Sequence, residues 1–318
     1  MWVMRRRRLL VVASNVHFLD WLRFIPYDVR LFRIRLSKSR FKRALFYATL
    51  KPRLKALSYR YDIIFCDFFD EFACLMSHVS SKPIYVRLHR WEVHNPVYLL
   101  SANLKNVKAI ITVSNHYKRF VEELVKDVVP VYVVPNGVDT RRFYYNPRIH
   151  RPLRICTVGN LIPRKRFFDL IVNNPDLEID IGGKGEERLI LEEAIRRFKL
   201  KAKICGYVKL PEFYYEHDIF IQNSSDESFG VALVEAMSCG LIPLCFDYPV
   251  AEEIVPREFI YRSYDELREK IAKLNQMSDE ELSRIKRGMR MIVEEKFSLE
   301  KQAKAFTAIF DKFSKNDH

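Results

Sequence analysis

Residues 224–240 read Ser-Ser-Asp-Glu-Ser-Phe-Gly-Val-Ala-Leu-Val-Glu-Ala-Met-Ser-Cys-Gly, and this stretch decides the fold. An apolar run ends near Ile221, a polar loop follows, and a helix is predicted from near Gly230 to just before Gly240. The free N–H groups of the first helical turn then point beyond the strand end and form an anion site suited to a diphosphate. Glu227 on the loop and Glu235 in the helix are placed to hold separate hydroxyl-bearing parts of one ligand.

A polar loop before an amphipathic helix also occurs in α/β proteins of many functions, so each feature alone indicates little. The whole segment, however, resembles the E-x7-E motif of the retaining glycosyltransferases of family four (glycosyl transferases group 1), usually E-G-F-G-x-x-x-x-E-A-M-A-x-G. Ser228 replaces the usual glycine. The positions that match are Glu227, Phe229, Gly230, Glu235, Ala236, Met237 and Gly240.

Other segments agree with this family in order and spacing. Residues 134–139 with Phe143 resemble its V-P-N-G-V-D-x-x-x-F, residues 158–166 are similar to V-G-R-L-x-x-x-K-G, and residues 182–186 resemble its G-x-G-x-E turn. The resemblance covers about residues 107–256. The first 80 residues match poorly, as expected of an acceptor-binding domain.

The resemblance implies a role for each donor-site residue. Lys165 and Arg164 would neutralise the donor diphosphate, although Asn160 stands where the family usually has an arginine. Glu235 would bind the ribose and Glu227 the transferred sugar. The remaining expected donor contacts are the amides of Phe229, Gly230 and Val231 at the phosphates and Tyr207 beside the base. Lys165 as a solvated turn lysine and Tyr207 as an exposed loop tyrosine are the ordinary alternatives.

In the first half of the chain, His89 directly follows an apolar run, where open parallel sheets place ligand groups. A histidine at a strand end is often only structural, but this one also matches the family histidine that faces the donor sugar. Asp67, Asp70 and Glu71 follow another predicted strand and are candidates for acceptor contact.

Short apolar runs alternate with helical patterns along the chain, which predicts two doubly wound α/β domains. The resemblance implies the GT-B arrangement, in which two Rossmann-like domains face each other across a cleft. We expect an acceptor domain over residues 1–140 and a donor domain over residues 141–298. The apolar residues of Leu299–Phe313 recur at helical spacing, so one face of this last helix must be buried. The resemblance implies that the helix returns to the first domain.

The net charge of +14 lies entirely at the start of the chain. Residues 1–60 hold 16 Lys+Arg and 2 Asp+Glu, whereas residues 61–318 hold 38 of each sign. An anionic partner is therefore expected for this end. Residues 31–57 interleave basic and apolar side chains, which predicts contact with an anionic membrane surface, with Pro52 dividing the helix into two pieces. Alternatively, the apolar residues are core and the cations solvated.

No apolar run reaches the roughly 18 residues needed to span a bilayer, and the apolar stretch after Arg5–Arg8 is short for a signal peptide. A cytoplasmic protein that can associate with a membrane surface is expected. None of the six cysteines forms a C-x-x-C pair, so all are interpreted as reduced.

The predicted function is transfer of a sugar from a nucleotide-diphosphate sugar to an acceptor hydroxyl of a glycan or lipid. The resemblance alone implies retention of anomeric configuration. No D-x-D metal motif occurs, and basic groups are available instead, so no metal or other cofactor is expected. The alternatives are a GT-B phosphorylase or epimerase and a basic nucleic-acid-binding protein, although no nucleic-acid module is recognisable. The nucleotide base, sugar, acceptor and oligomeric state remain open.

Overall fold

The computed structural model describes residues 6–14, 16, 18–34 and 40–314. The chain forms two compact units. The first ends at Gly137 and also contains the segment from Leu299, whereas the second runs from Val138 to Ser298. The division thus falls slightly before residue 140, where the sequence placed it.

The described part of the first unit contains a parallel six-stranded sheet in the order β2-β1-β3-β4-β5-β6. Its strands are apolar runs buried on both faces, as parallel sheets require, except for the exposed edge strand β2. The strands are β1 (Arg8–Ala13), β2 (Asp28–Arg33), β3 (Ile63–Asp67), β4 (Ile84–Arg87), β5 (Val107–Thr112) and β6 (Val131–Val133). The helices are α1 (Arg40–Ser58), α2 (Glu71–Val79), α3 (Arg90–His94), α4 (Val97–Leu100), α5 (Asn115–Val125) and α13 (Leu299–Ser314).

The last helix, α13, packs its apolar face on the core of the first unit. Phe306 stacks on Trp21 with ring centroids 4.0 Å apart, and it meets Phe65 of β3 edge-on at 5.2 Å. Phe310 joins the same aromatic cluster. The helix therefore belongs to the first unit and buries the face that its apolar periodicity marks.

The basic segment 31–57 differs from its prediction in two respects. Residues 31–33 belong to β2, and α1 continues through Pro52 as one helix. Leu50 and Leu54, on either side of the proline, are fully buried and hold the helix in place while Lys51, Pro52 and Arg53 are exposed. Residues 35–39 lie outside the described residues. The two leucines belong to the core. For this part of the segment, that favours the alternative in which the apolar residues are core and the cations are solvated.

The second unit contains a parallel sheet in the order β12-β11-β10-β7-β8-β9. Its strands are β7 (Ile155–Val158), β8 (Ile179–Gly182), β9 (Lys203–Gly206), β10 (Ile219–Gln222), β11 (Ile242–Phe246) and β12 (Ile260–Tyr261). The helices are α6 (Phe167–Val172), α7 (Arg188–Phe198), α8 (Glu212–Tyr215), α9 (Val231–Ser238), α10 (Ala251–Ile254), α11 (Tyr264–Gln276) and α12 (Asp279–Lys296). The predicted class, two doubly wound α/β units, is confirmed.

Candidate functional site

The loop between β10 and α9 brings the predicted donor residues to the carboxyl end of the second sheet. Gly230 caps α9 with a φ of 85°, a left-handed conformation that favours glycine, and a side chain there would also approach the Tyr248 hydroxyl. Phe229 is buried, and its ring meets Phe297 edge-on at 5.3 Å. The Phe229 ring thus anchors the loop and fixes the position of the helix start at Val231.

Lys165 and Arg164 converge on the carboxylate of Glu227. Lys165 Nζ lies 2.5 Å from Glu227 Oε1, and an Arg164 guanidinium nitrogen lies 2.8 Å from the same oxygen. Both cations come from the short helical turn Pro163–Lys165 that follows β7. Burial alone would raise the pKa of Glu227, but the two positive charges outweigh it and hold that pKa below its usual range. The structure therefore brings together three residues that the sequence assigned to one ligand.

Two polar residues that the sequence analysis did not single out complete this cluster. Ser224 Oγ donates to Glu227 Oε1 at 2.9 Å, and Gln222 Nε2 donates to it at 3.3 Å. Gln222 is the last residue of β10, one position beyond Ile221, near which the apolar run ends in the sequence. Its burial next to a carboxylate was not visible in the strand pattern.

The turns after β7 and β8 interlock at the same edge of the sheet. Leu161 donates its N–H to the Lys184 carbonyl at 2.9 Å and accepts one from Glu187 at 3.0 Å. A Cβ atom at Gly183 would lie 1.8 Å from the Gly159 carbonyl oxygen. Only glycine therefore allows the backbones of the two turns to approach this closely. This contact fixes the segment that carries Lys165.

Glu235 lies in the second turn of α9 in a different environment. The Tyr214 hydroxyl is 3.5 Å from Glu235 Oε2, and within the described part of the chain no cation lies within salt-bridge distance. Burial raises the pKa of Glu235 to about 7, although the Arg142 charge and the Tyr214 hydrogen bond oppose the rise. Arg142 acts here from the segment after Val138 and had not been identified from the sequence.

Two predicted donor residues lie at the surface. Tyr207 is 79% exposed, and Lys184 Nζ lies 5.3 Å from its ring centroid. Asn160 is exposed in the turn after β7. Neither contacts Glu227 or Glu235 among the bonds of the described residues, so their donor contacts remain predictions.

In the first unit, His89 follows β4 and is 7% exposed. Its ring is stacked between Phe18 and Phe68, with centroid distances of 4.9 and 4.2 Å. Its Nε2 lies 3.3 Å from Asp67 Oδ1 and 3.2 Å from Arg87 Nε. Burial and the Arg87 charge lower the pKa of His89 despite the nearby Asp67 carboxylate, so the imidazole is uncharged at neutral pH.

The three acceptor candidates occupy different positions. Asp67 is fully buried and pairs with Arg87, whose Nε lies 2.8 Å from Asp67 Oδ1. Asp70 caps α2 by accepting the N–H groups of Phe72 and Ala73. Glu71 is half-buried at the first position of that helix. These positions assign structural partners to Asp67 and Asp70, while acceptor contact remains a prediction.

A further cavity of about 690 Å³ lies at the opposite edge of the second sheet, lined by residues such as His150, Asp180 and His217. Ligands of open parallel sheets bind beyond the carboxyl ends of the strands, so we assign the candidate site to the Glu227 edge instead. Among the described residues, no group of three or more His, Cys, Asp or Glu side chains is arranged to hold a metal ion. None of the described helices is long and apolar enough to cross a membrane.

Two family models match the chain. The model described as "Glycosyl transferases group 1" matches residues 146–291, and that of "Glycosyltransferase Family 4" matches residues 8–142. A human subunit of phosphatidylinositol N-acetylglucosaminyltransferase is 33% identical over 143 residues, which are 41% of this chain and 30% of that protein. The UDP-N-acetylglucosamine–peptide N-acetylglucosaminyltransferase GtfA subunit of Streptococcus agalactiae is 25% identical over 181 residues, 49% of this chain and 36% of the relative. The chain therefore matches only about a third of the length of these relatives.

Solved structures share the architecture. Anabaena HepE, crystallised with UDP and glucose, superposes with a TM-score of 0.77 at 16% identity, covering 96% of this chain and 100% of HepE. The sucrose-phosphate synthase of Thermosynechococcus elongatus gives a TM-score of 0.75 at 15% identity, covering 97% of this chain and 99% of the synthase. At these identities the likeness establishes the fold.

Proposed function

Because the chain belongs to the group 1 glycosyl transferases and has the GT-B fold, we propose that it transfers a sugar from a nucleotide-diphosphate sugar to an acceptor hydroxyl. One observation carries the proposal above all others. Lys165 and Arg164 both contact the Glu227 carboxylate within 2.8 Å, and Glu227 lies in the loop that leads into α9. Two cations beside a helix N-terminus fit a diphosphate, and the carboxylate fits a sugar hydroxyl.

The donor proposed is UDP-N-acetylglucosamine. The human and the streptococcal relative are both named as N-acetylglucosaminyltransferases, and the streptococcal name specifies this donor. The human match lies at 33% identity over less than half of this chain. These names support N-acetylglucosamine as the transferred sugar. The acceptors that they name differ, since one is phosphatidylinositol and the other is peptide. For this chain we propose an acceptor that is lipid-linked or anionic, because of the basic first 60 residues.

The proposed mechanism depends on the negative charge that develops on the leaving diphosphate. As the glycosidic bond to the diphosphate breaks, negative charge grows on the leaving phosphate, and fixed cations and helix amides stabilise it without reorganisation. The diphosphate competes with Glu227 for Lys165 and Arg164, so donor binding would release that carboxylate toward the sugar. His89 would contact the sugar from the first unit. We propose retention of anomeric configuration by front-face attack, in which the leaving phosphate receives the acceptor proton.

The two cations supply the charge that a bound metal ion supplies in other transferases, so we propose that transfer needs no metal. The proposed location is the cytoplasm, with membrane contact through residues 31–57. Lys51, Arg53 and Lys55 are exposed along α1 and would supply positive charge for that contact, although Leu50 and Leu54 of the same helix are buried in the core.

Binding and transfer test the proposal directly. UDP, UDP-N-acetylglucosamine and GDP-mannose are titrated calorimetrically, and transfer from the bound sugar is then measured on phosphatidylinositol vesicles and on hydroxyl-bearing peptides. Proton NMR of the product shows whether the anomeric configuration is kept. Glu235→Ala should abolish most nucleotide affinity, while Glu252→Ala, on the exposed surface, serves as control. Absence of binding to every nucleotide would refute the proposal, and sugar release that requires inorganic phosphate would identify a phosphorylase.

A further inference from the structure

Three ionisable side chains of the first unit share one buried position, and we refer to Asp67, Arg87 and His89 as the buried triad. Arg87 and Asp67 have fully buried side chains, and that of His89 is 8% exposed. Arg87 Nε, Asp67 Oδ1 and His89 Nε2 form a triangle with sides of 2.8, 3.2 and 3.3 Å. Asp67 ends β3 and Arg87 ends the neighbouring β4, whose carboxyl ends lie side by side.

The charges of the buried triad restrict the protonation state of His89. The Arg87 and Asp67 charges cancel, so a proton on His89 would leave a net positive charge in a site with almost no solvent. Among the described residues, two further carboxyl groups lie close by on adjoining elements. Glu92 of α3 accepts the His89 backbone N–H at 3.0 Å, and Asp70 caps α2. Burial raises the pKa of Glu92 to about 7, so this carboxyl offers only a partial counter-charge near neutral pH.

The rings around His89 depend on Arg87 as well. Arg87 Nη2 donates to the Phe18 carbonyl at 3.4 Å, and its guanidinium lies 5.9 Å from the Phe18 ring centroid. Phe68 on the other side of the imidazole has a φ of 74°, which a phenylalanine rarely adopts. Such strain persists only where the surroundings fix it, and it is concentrated at functional sites. Arg87 therefore contacts the imidazole, its counter-charge and one of its two stacking partners.

We propose that Arg87 is a positioning residue: by pairing with Asp67 it keeps the His89 imidazole uncharged and fixed between Phe18 and Phe68. The inference rests on the proposed function, in which His89 meets the donor sugar. Holding Nε2 against Arg87 and Asp67 fixes the plane and the direction of the imidazole that the proposed function places against the sugar.

A purely structural role accounts poorly for this arginine. Its strand neighbours Tyr85 and Val86 are buried, and an apolar side chain at position 87 would suit the interior of the sheet. A buried ion pair adds little stability compared with well-packed apolar residues. Arg87 Nη1 and Asp67 Oδ2 also have no hydrogen-bond partner among the described residues, so the pair is not arranged for maximal stability.

The test follows the titration of His89 by NMR in the full-length protein, with its signal assigned by its loss in His89→Gln. In Arg87→Gln the Asp67 charge is no longer compensated, so the His89 titration should move to higher pH. In the double variant Asp67→Asn/Arg87→Gln both charges are gone, and the titration should return toward that of the original protein. Arg87→Lys keeps the charge and should keep the low titration. Arg262→Gln, which breaks the exposed pair with Asp247, is the matched control.

The kcat of the Arg87 variants distinguishes a positioning role of Arg87 from a role in stability alone. The kcat of sugar transfer should fall roughly tenfold to hundredfold in Arg87→Gln, as expected for a displaced contact, with partial recovery in Arg87→Lys. UDP affinity should not change, because the diphosphate residues belong to the second unit. An unmoved His89 titration, or an unchanged kcat, would overturn the inference. If Arg87→Gln does not fold, Asp67→Asn gives the decision, because it leaves the Arg87 charge uncompensated and should move the His89 titration to lower pH. Failure of the original protein to bind UDP would instead count against the proposed function and leave the titration result intact.

Discussion

Replacing Glu235 by glutamine tests the donor site through stability and binding together. Glu235 is largely buried beside Tyr214 with no cation at salt-bridge distance among the described residues, so its ionised form is costly. Glutamine keeps the shape and the ability to accept the Tyr214 hydrogen bond but carries no charge. We expect Glu235→Gln to make the ligand-free protein more stable at alkaline pH and to weaken nucleotide binding.

The size of the effect follows from the pKa. Burial raises the pKa of Glu235 from 4.5 to about 7, and at about 1.36 kcal/mol per pH unit this difference corresponds to roughly 3 kcal/mol. Solvent screening at the partly exposed carboxylate reduces the figure, so about 1 to 3 kcal/mol is expected. Below pH 4.5 the group is protonated in both states and costs nothing. Between pH 4.5 and 7 the folded state loses stability as pH rises, and above pH 7 the whole cost is present.

Thermal unfolding at pH 4 and pH 8 provides the assay. At pH 8 the variant should melt several degrees above the original protein, at about 2 to 4 °C per kcal/mol for a unit of this size, and at pH 4 the two should coincide. UDP affinity at pH 8 should fall roughly 10- to 100-fold, because a charge-assisted hydrogen bond is worth about 1.5 to 3 kcal/mol. Glu252→Gln, exposed at the surface, should change neither quantity. A variant that melts at or below the original at pH 8, or that binds UDP equally well, refutes the reasoning.

Further outcomes follow from the same contacts. Lys165→Ala should weaken UDP binding roughly tenfold or more by calorimetry, since it removes one cation from the diphosphate, and unchanged affinity would contradict the assignment. Phe306→Ala should lower the free energy of unfolding of the first unit by about 3 to 5 kcal/mol, measured by urea titration with tryptophan fluorescence, because the ring stacks on Trp21. Excess EDTA should leave transfer unchanged, and a loss restored by Mg²⁺ would reject metal independence. Flotation should recover the protein with anionic but not neutral vesicles at low salt, and equal recovery would exclude the membrane contact of residues 31–57.

Most of the sheet could be predicted from the sequence, because parallel strands buried on both faces are continuous apolar runs. The missed strand β2 (Asp28–Arg33) alternates charged and apolar residues, since it lies at the edge with most side chains exposed. Residues 31–33 of this strand also belong to the segment predicted to contact an anionic membrane surface. The two-residue strand β12 is too short to give any periodic signal.

The triad in the first unit shows a second kind of limit. The sequence placed His89 at a strand end correctly, but an arginine two residues earlier in an apolar strand has no local explanation. Its counter-charge, Asp67, comes from the preceding strand, 20 residues away in the chain. Only the register between β3 and β4 brings them together, and register follows from packing along the whole sheet.

The two glutamates of the motif in the second unit show why residue type alone cannot assign charge. Glu227 and Glu235 lie in one loop-and-helix segment, and both are mostly buried. The pKa of Glu227 is lowered because Lys165 and Arg164 contact its Oε1 and outweigh the effect of burial. The pKa of Glu235 is raised to about 7 by burial, which the Arg142 charge and the Tyr214 hydrogen bond offset only in part. Lys165 and Arg164 come from a turn more than 60 residues earlier in the chain. Since the diphosphate proposed above would draw these cations away from Glu227, donor binding should move the pKa of Glu227 upward, while ribose hydroxyls donating to Glu235 should move its pKa downward. Near pH 7 a modest rise in its low pKa leaves Glu227 ionised, whereas Glu235, with a pKa of about 7, is partly protonated and loses its proton as its pKa falls. UDP binding should therefore release protons, mainly from Glu235, and buffer-dependent calorimetry near pH 7 measures the release; absence of any release would contradict the assignment of Glu235 to the ribose.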